Sequence, residues 1–248
     1  MIIIKNDIEI DYMRRAGRLV GETLAKLEEV IKPGITTAEI DKIAEEFILK
    51  HNAKPSFKGY HGFPASICAS VNEEVVHGIP ANRVLQEGDI ISIDCGAILD
   101  GYQGDAARTI PVGKISKEAE KLIEVTKESF FKGIEYAKVG NKLTDISAAI
   151  QTYVESFNFS VVRDFVGHGI GKDLHEDPEV PNFGRPGRGP KLRHGMVLAI
   201  EPMVNIGRYH VNVLSNGWTV VTEDGSLSAH YENTVAILNN GPELLTLI

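Results

Sequence analysis

The sequence predicts an α+β protein built of two similar halves, and three observations lead to that prediction. Blocks with helical periodicity alternate with blocks of strand-like and turn-rich sequence. Several short motifs recur at a nearly constant separation along the chain. A predicted β-hairpin also carries two carboxylates on one face, whose repulsion a shared proton or a bound cation would compensate.

Composition places the chain among ordinary folded proteins and excludes some functions. Of its 248 residues, 43% are hydrophobic and 24% are charged, and the net charge is −8. This charge argues against nucleic-acid binding driven by bulk electrostatics. No apolar run approaches the roughly eighteen residues of a membrane span, and no signal-peptide pattern follows Met1. We therefore expect a cytoplasmic protein that binds neither DNA nor membranes.

Four amphipathic helices are expected from the spacing of apolar residues. The first two begin at Asp7 and at Thr36 or Thr37, and the others cover 116–136 and 145–157. Between them lie a glycine-aromatic loop at 57–64, a strand at 66–71, a turn at 75–80 and the hairpin. The last third, from Val161, is strand-like and rich in turns.

The hairpin is predicted by alternating residues in 89–96 and 102–110, with Asp100-Gly101 as the turn. With a turn near Leu99-Asp100, Asp94 and Asp105 lie directly opposite each other on one face. Two like charges so close together disfavour folding, and a shared proton or a bound cation would compensate for them. The alternative is that both aspartates lie at solvated strand ends.

The internal repeat extends this interpretation to the second half. Leu85–Asp94 aligns with Leu192–Glu201, each a Leu-x-x-Gly segment leading into an apolar strand that ends in a carboxylate, at a separation of 107 residues. At the same separation, Gly59–Gly62 aligns with Val166–Gly169. This period is too long for a solenoid. It predicts two halves about a pseudo-twofold axis, with Asp94 and Glu201 in related central positions.

Four carboxylates and one imidazole are then candidates for a shared metal site. They are Asp94, Asp105, His168, Glu201 and Glu232. Without cations, each pair of carboxylates about 4 Å apart would be disfavoured by about 4 kcal/mol at an effective dielectric constant of 20. Such ligands suit Mn²⁺, Fe²⁺, Co²⁺ or Zn²⁺. Taken singly, His168 would more often be a structural histidine, and Glu201 could be a surface acid.

Several motifs together make the chain similar to the bacterial type I methionine aminopeptidases over nearly its whole length. The motifs are Val76–Pro80, Ser92–Asp94 with Gly104–Ala107, Gly167–Gly171 with His175-Glu176, Ala199–Pro202, and Trp218–Thr222 before Tyr231-Glu232. The resemblance implies the pita-bread fold, in which two αβ halves enclose a dinuclear metal site. It further implies one catalytic domain over 1–248 without an N-terminal extension.

The resemblance also implies the roles of individual residues. Asp94 would chelate one metal ion, Asp105 and Glu232 would bridge two, and His168 and Glu201 would complete the second. Glu201 would also transfer protons by activating the bridging water, and His77 and His175 would contact the substrate at the scissile peptide. The methionine pocket would be formed by Tyr60, Phe63, Cys68 and Trp218. Aromatic walls suit a flexible, polarizable thioether.

Some positions depart from the family pattern. Phe63 stands where a tyrosine is common and Leu174 where a phenylalanine usually precedes the second histidine. His230 and Asn233 replace the more frequent glutamine and histidine. Because the expected metal ligands are all present, the departures at Phe63 and Leu174 bear on pocket shape and substrate tolerance rather than on metal binding.

The activity implied by the resemblance is removal of the initiator methionine from new polypeptides whose second residue is small. Two divalent ions, Co²⁺, Mn²⁺, Fe²⁺, Zn²⁺ or Ni²⁺, would be the cofactors, and no organic cofactor is expected. The partners would be the N-termini of nascent chains, with transient contact to the ribosome, and the protein would act as a monomer. Two alternatives share the fold: an X-Pro aminopeptidase or prolidase, and a catalytically inactive module that binds a partner.

Overall fold

The computed structural model describes residues 1–247 and begins with two helices packed on one sheet. Helix α1 spans Asp7–Val30 and α2 spans Thr37–Lys50. Each begins at a capping box, formed by Asn6 with Glu9 and by Thr36 with Glu39, in which each side chain accepts a backbone N–H of the other residue. Both helices therefore start close to the residues that the sequence predicts.

The first half contains five strands, and its sheet is centred on the predicted hairpin. The strands are β1 Lys54–Pro55, β2 Ile67–Val71, β3 Glu74–Val76, β4 Ile90–Leu99 and β5 Tyr102–Pro111. Strand β4 pairs antiparallel with β1, β2 and β5. Apolar residues of α1 and α2 pack on this sheet and form the core of the first half. The glycine-aromatic loop contains one short 3₁₀ turn at Tyr60–Gly62.

Up to residue 247, the second half repeats this plan with two helices and ten strands. Helix α3 spans Lys117–Ile134 and α4 spans Leu143–Glu155. The strands are β6 Ser160–Val161, β7 Gly167–Gly169, β8 Glu176–Val180, β9 Val197–Ile200, β10 Met203–Asn205, β11 Val211–Val213, β12 Val220–Thr222, β13 Ser228–His230, β14 Asn233–Leu238 and β15 Gly241–Leu244. Its main sheet runs in the order β15-β14-β9-β7-β8. Within the described part of the chain, no helix is long and apolar enough to cross a membrane.

The predicted repeat is confirmed by equivalent backbone contacts in the two halves. Strand β4 begins at Ile90 and β9 begins at Val197, as the alignment requires. An isolated bridge joins Thr36 to Val84 in the first half, and its counterpart joins Lys142 to Lys191 in the second. In both halves a two-residue contact thus ties the start of the second helix to the segment before the carboxylate-bearing strand.

The register of the hairpin corrects one detail of the prediction. The turn is centred on Asp100-Gly101, whose φ values of 52° and 82° fit a two-residue hairpin turn. Asp94 is therefore paired with Ala107, and Asp105 with Gly96. The two aspartates lie diagonally rather than directly opposite, because the turn is one residue later than assumed. They still project from the same face, since the shift along the strand is two residues.

Candidate active site

A cavity of about 430 Å³ lies between the two halves, and it contains every side chain that the sequence analysis singled out for chemistry or substrate binding. The five predicted metal ligands line it together with both predicted substrate histidines and the four predicted pocket residues. The lining comprises Phe57, Tyr60, His61, Phe63, Cys68, His77, Asp94, Asp105, His168, Leu174, His175, Glu201, Trp218 and Glu232. The solvated alternative for Asp94 and Asp105 is therefore wrong.

Asp105 and Glu232 meet because β5 crosses the start of β14. The Thr234 hydroxyl donates to the Asp105 carbonyl at 2.8 Å and accepts the Asp105 N–H at 3.0 Å. The Glu232 N–H donates to the Ala107 carbonyl at 3.0 Å. These bonds join the two halves of the chain directly behind the two carboxylates, so the backbone fixes their separation.

Arg108, on β5, also bonds residues at the start of β14. Its guanidinium donates to the Glu232 carbonyl and, at 2.7 Å, to Asn233 Oδ1, and it lies 4.3 Å from the Tyr231 ring centroid. These bonds engage backbone and amide oxygens, while the Glu232 carboxylate faces the cavity. The arginine therefore supports the site without occupying it.

His168 has the orientation of a metal-binding imidazole. Its Nδ1 lies 2.9 Å from the Gly169 carbonyl, which can only accept, so Nδ1 carries the proton. Its Nε2 lies 3.5 Å from Glu201 Oε1 and 3.8 Å from Asp105 Oδ2. Burial lowers the pKa of His168 to about 3, so the ring is neutral and a lone pair on Nε2 faces two carboxylates. The His168 lone pair and the carboxylates of Asp105 and Glu201 are thus close together, and the imidazole supplies no positive charge to offset them.

Burial and mutual repulsion together raise the pKa values of the carboxyl groups. Burial raises the pKa of Asp94 to about 7. Burial raises the pKa of Asp105 well above its usual value, and the charges of Glu232 and Asp94 raise it further. Glu201 and Glu232 have pKa values raised for the same two reasons. Four ionised carboxylates are therefore unstable here without added positive charge.

The donor set fits divalent metal ions. One ligand atom each from Asp105, His168 and Glu232 lies within 4.8 Å of the others. Asp94 Oδ1, Asp105 Oδ1 and Glu232 Oε1 are buried and have no hydrogen-bond partner within residues 1–247. Buried acceptors are rarely left unpaired, and carboxylate oxygens with one imidazole are a borderline-to-hard ligand set. Cations in this space would satisfy the oxygens and remove the repulsion.

His77 and His175 lie on the cavity wall as neutral rings. Burial lowers the pKa of His77 to about 4 and lowers that of His175 as well. His77 has a φ of 58°, a conformation uncommon for residues other than glycine, and strain of this kind is concentrated at functional sites. The His175 ring lies 4.2 Å from the His168 ring, between centroids. Each neutral imidazole can offer one N–H to a bound substrate.

The apolar side of the cavity is formed by the predicted pocket residues and two others. Phe63 and Trp218 make an edge-to-face contact with ring centroids 5.1 Å apart. Cys68 is buried, and burial raises the pKa of its thiol well above the usual value, so the sulfur remains a neutral, apolar surface. Phe57 and Leu174 complete this wall. The pocket can therefore take a flexible apolar side chain.

Sequence reasoning missed two side chains that matter to the site. Thr234 had no recognisable signal, because its partner Asp105 is 129 residues away. His230 was noted as a departure, without a position. The structure places His230 Nε2 at 3.7 Å from Glu201 Oε2, with no hydrogen-bond partner in the described chain. Together with His168, it is one of two histidines in 1–247 that lie within 4 Å of the Glu201 carboxylate.

Comparison with known proteins gives a consistent family. The family model described as metallopeptidase family M24 matches residues 11–239. A methionine aminopeptidase from Clostridium acetobutylicum is 74% identical over 248 residues, covering 100% of this chain and 99% of that protein. Methionine aminopeptidase 1 from Bacillus subtilis is 59% identical, with full coverage of both chains. The crystal structure of methionine aminopeptidase from Thermotoga maritima has a TM-score of 0.98, with 48% identity and full coverage of both chains.

Proposed function

Because the chain belongs to metallopeptidase family M24, with the fold of its methionine aminopeptidase neighbours, we propose that it removes the N-terminal methionine from polypeptides. One observation carries the proposal: five metal-ligating side chains, two histidines and an apolar pocket line a single cavity. High identity over the full length to the methionine aminopeptidase from Clostridium acetobutylicum supports the same substrate class. The reaction is hydrolysis of the first peptide bond.

The proposed metal site takes ligands from both halves. Asp94 would hold one divalent ion, His168 and Glu201 a second, and Asp105 and Glu232 would contact both. This division is supported by the neighbours of Asp105: its carboxylate lies 3.8 Å from His168 Nε2, and it is close enough to Asp94 and Glu232 for their charges to raise its pKa. Of the candidate ions, Mn²⁺, Fe²⁺, Co²⁺, Zn²⁺ and Ni²⁺ all suit oxygen and imidazole donors.

Bound divalent ions would lower the pKa of the attacking water and polarise the scissile carbonyl. The protein's own part is proton transfer and orientation. Glu201 has one oxygen near His168 and the other near His230, so its carboxylate lies deep in the cavity wall. There it would accept the proton of the attacking water and pass it to the departing amine.

The two cavity histidines would stabilise the reacting peptide. Both are neutral, so each can donate one N–H toward the carbonyl oxygen as negative charge develops on it. Donors fixed in a partly buried cavity act more strongly than the same groups in water. His77 and His175 thereby favour the tetrahedral geometry over the planar peptide.

The apolar pocket would select methionine. Phe63 and Trp218 present an edge-to-face pair, and Cys68 lies against them as a neutral thiol. A thioether makes favourable contacts with aromatic rings, about 0.3–1.5 kcal/mol each. We further propose that the substrates are nascent chains with a small second residue, met in the cytoplasm in brief contact with the ribosome, and that the protein acts as a monomer.

A direct assay separates this function from its nearest alternative. Metal-loaded protein is offered a Met-Ala-Ser peptide and an X-Pro dipeptide, and released amino acids are quantified. The proposal expects release of methionine from the first peptide and at least hundredfold slower cleavage of the second. Cleavage of the X-Pro dipeptide alone would identify a proline-specific peptidase. Cleavage of neither would favour an inactive binding module.

A further inference from the structure

Tyr60, expected from the sequence to form part of the methionine pocket, makes a polar contact with His175. The Tyr60 Oη lies 2.7 Å from His175 Nδ1. The ring centroids are 5.3 Å apart and tilted by 40°, so the two rings are not stacked. The principal contact of Tyr60 with His175 is therefore the hydrogen bond, which the methionine pocket alone does not require.

The direction of this bond follows from the acidity of the two groups. A phenol is a much stronger acid than the N–H of neutral imidazole, whereas an imidazole nitrogen is a good acceptor. Burial raises the pKa of Tyr60, so the phenol keeps a proton that it can donate to His175 Nδ1, 2.7 Å away. Tyr60 consequently donates, and His175 Nδ1 accepts. The single ring proton of His175 must then reside on Nε2.

The loop that carries Tyr60 is shaped to hold it there. Gly59 and Gly62 have φ values of 87° and 89°, and His61, between Tyr60 and Gly62, has a φ of 47°. A Cβ atom added at either glycine would meet nothing within 4 Å, so glycine is required there for backbone conformation and not for space. The Phe63 N–H donates to the Tyr60 carbonyl at 2.9 Å and closes the turn. The glycine-aromatic stretch thus fixes the phenol against His175.

A second contact holds the His175 ring. It lies 4.2 Å from the His168 ring, between centroids, at 62° between ring planes, and His168 is itself held by the Gly169 carbonyl. His175 therefore contacts both Tyr60 and His168, and Nε2 is the ring nitrogen that the Tyr60 hydroxyl does not bond.

We propose that Tyr60 is a positioning residue, whose hydroxyl keeps His175 in the tautomer that presents Nε2–H to the substrate. The inference rests on the proposed function, since it assigns His175 as the donor to the reacting peptide. Without the Tyr60 hydroxyl, His175 distributes its proton over both nitrogens, and only part of the population offers a donor.

The test variant is Tyr60→Phe, which keeps the ring and its packing and removes only the hydroxyl. We expect kcat for Met-Ala-Ser to fall by up to about tenfold, less than the roughly 10²–10³-fold for loss of a whole oxyanion donor, because His175 remains and still offers Nε2–H part of the time. KM should change less than about twofold. Tyr102→Phe is the matched control, because its hydroxyl bonds Glu9 at 3.0 Å, outside the cavity. That variant should retain the activity of the unmodified protein.

A spectroscopic measurement reports the tautomer independently of turnover. Long-range ¹H–¹⁵N correlation spectra of Zn²⁺-loaded protein should show His175 with protonated Nε2 and bare Nδ1, the signal being assigned by its loss in His175→Gln. In Tyr60→Phe the same signal should move to a mixture of tautomers. In the His175→Gln background, adding Tyr60→Phe should leave kcat unchanged, because the hydroxyl acts through His175.

Three results would overturn the inference. They are an unchanged kcat, a change in KM alone, which would make Tyr60 a pocket residue only, and an unchanged His175 spectrum in Tyr60→Phe. Failure of the unmodified protein to cleave Met-Ala-Ser would instead contradict the proposed function. The His175 spectrum would still report whether Tyr60 sets the tautomer.

Discussion

Glu201 illustrates how little charge compensation the side chains of the site provide. Its two oxygens lie 3.5 Å from His168 Nε2 and 3.7 Å from His230 Nε2. Burial lowers the pKa of both histidines to about 3, so neither supplies a positive charge near neutral pH. The carboxylate therefore depends on bound cations, and it remains free to exchange a proton with substrate.

Replacement of Glu201 by glutamine tests whether its carboxylate accepts the proton of the attacking water. The amide has the same shape and one carbonyl oxygen, but it cannot accept the proton of the attacking water. Glu201→Gln should lower kcat for Met-Ala-Ser by about 10³-fold, within the range for loss of a general base. Calorimetric titration with Mn²⁺ should still show a bound ion, because Asp94, Asp105 and Glu232 remain.

The control for that substitution is Glu223→Gln, which makes the same chemical change at a side chain 55% exposed and near His210. It should leave kcat unaltered. Retention of most activity in the Glu201 variant would remove this carboxylate from the catalytic step.

At the scale of elements, the hairpin was largely predictable and its register was not. Alternating residues and Asp100-Gly101 predicted both strands, since local patterning and turn chemistry act over a few residues. The exact turn centre decides which residues of the two strands pair. Because the turn lies one residue later than predicted, Asp105 pairs with Gly96 and not with Asp94. The common face of the aspartates was nevertheless predicted correctly, because that depends only on the strand period.

Contacts between distant segments account for what the sequence did not reveal. Asp105 is bonded by Thr234, and His175 by Tyr60, across 129 and 115 residues. No local pattern encodes such pairs. The sequence therefore did not predict a role for Thr234, and it predicted Tyr60 only as a residue of the methionine pocket. The repeat was the exception: Asp94 and Glu201 occupy aligned positions in two similar segments, and that alignment is visible in the sequence.

The Thr234 hydroxyl links β14 to β5, so its removal should lower the stability of the fold. Thr234→Val keeps the shape of the buried side chain but leaves the Asp105 N–H and carbonyl without this partner. An unpaired buried polar group is disfavoured by about 1–3 kcal/mol, so the free energy of unfolding should fall by about that amount. Urea denaturation of the metal-free protein measures it.

Thr152→Val on the exposed surface of α4 is the matched control, and it should change stability by no more than about 0.5 kcal/mol. The Thr234 variant should also bind Mn²⁺ more weakly, because Asp105 loses its fixed position. Equal stability of both variants would show that the crossing of β5 and β14 is held by other contacts.

The whole molecule places its site where two halves with separate cores meet. The first core lies between α1, α2 and the hairpin sheet, and the second packs around α3 and α4. Asp94 and Asp105 come from one half, and His168, Glu201 and Glu232 from the other. Cations bound by both sets would join the halves, so metal binding should contribute to the stability of the fold.

Thermal unfolding of the metal-free protein during titration with Mn²⁺ at pH 7.5 tests this most directly. A ligand at a hundredfold excess over its Kd stabilises the native state by about 2.7 kcal/mol, which corresponds to an increase in Tm of about 5 °C or more for a chain of this size. Asp105→Asn should melt higher than the unmodified protein without metal, since one repelling charge is gone, and should lose most of the Mn²⁺ response. The predicted result is a Tm that rises with Mn²⁺ in the unmodified protein and rises much less in Asp105→Asn. An unchanged Tm at saturating Mn²⁺ would contradict a metal site that joins the two halves.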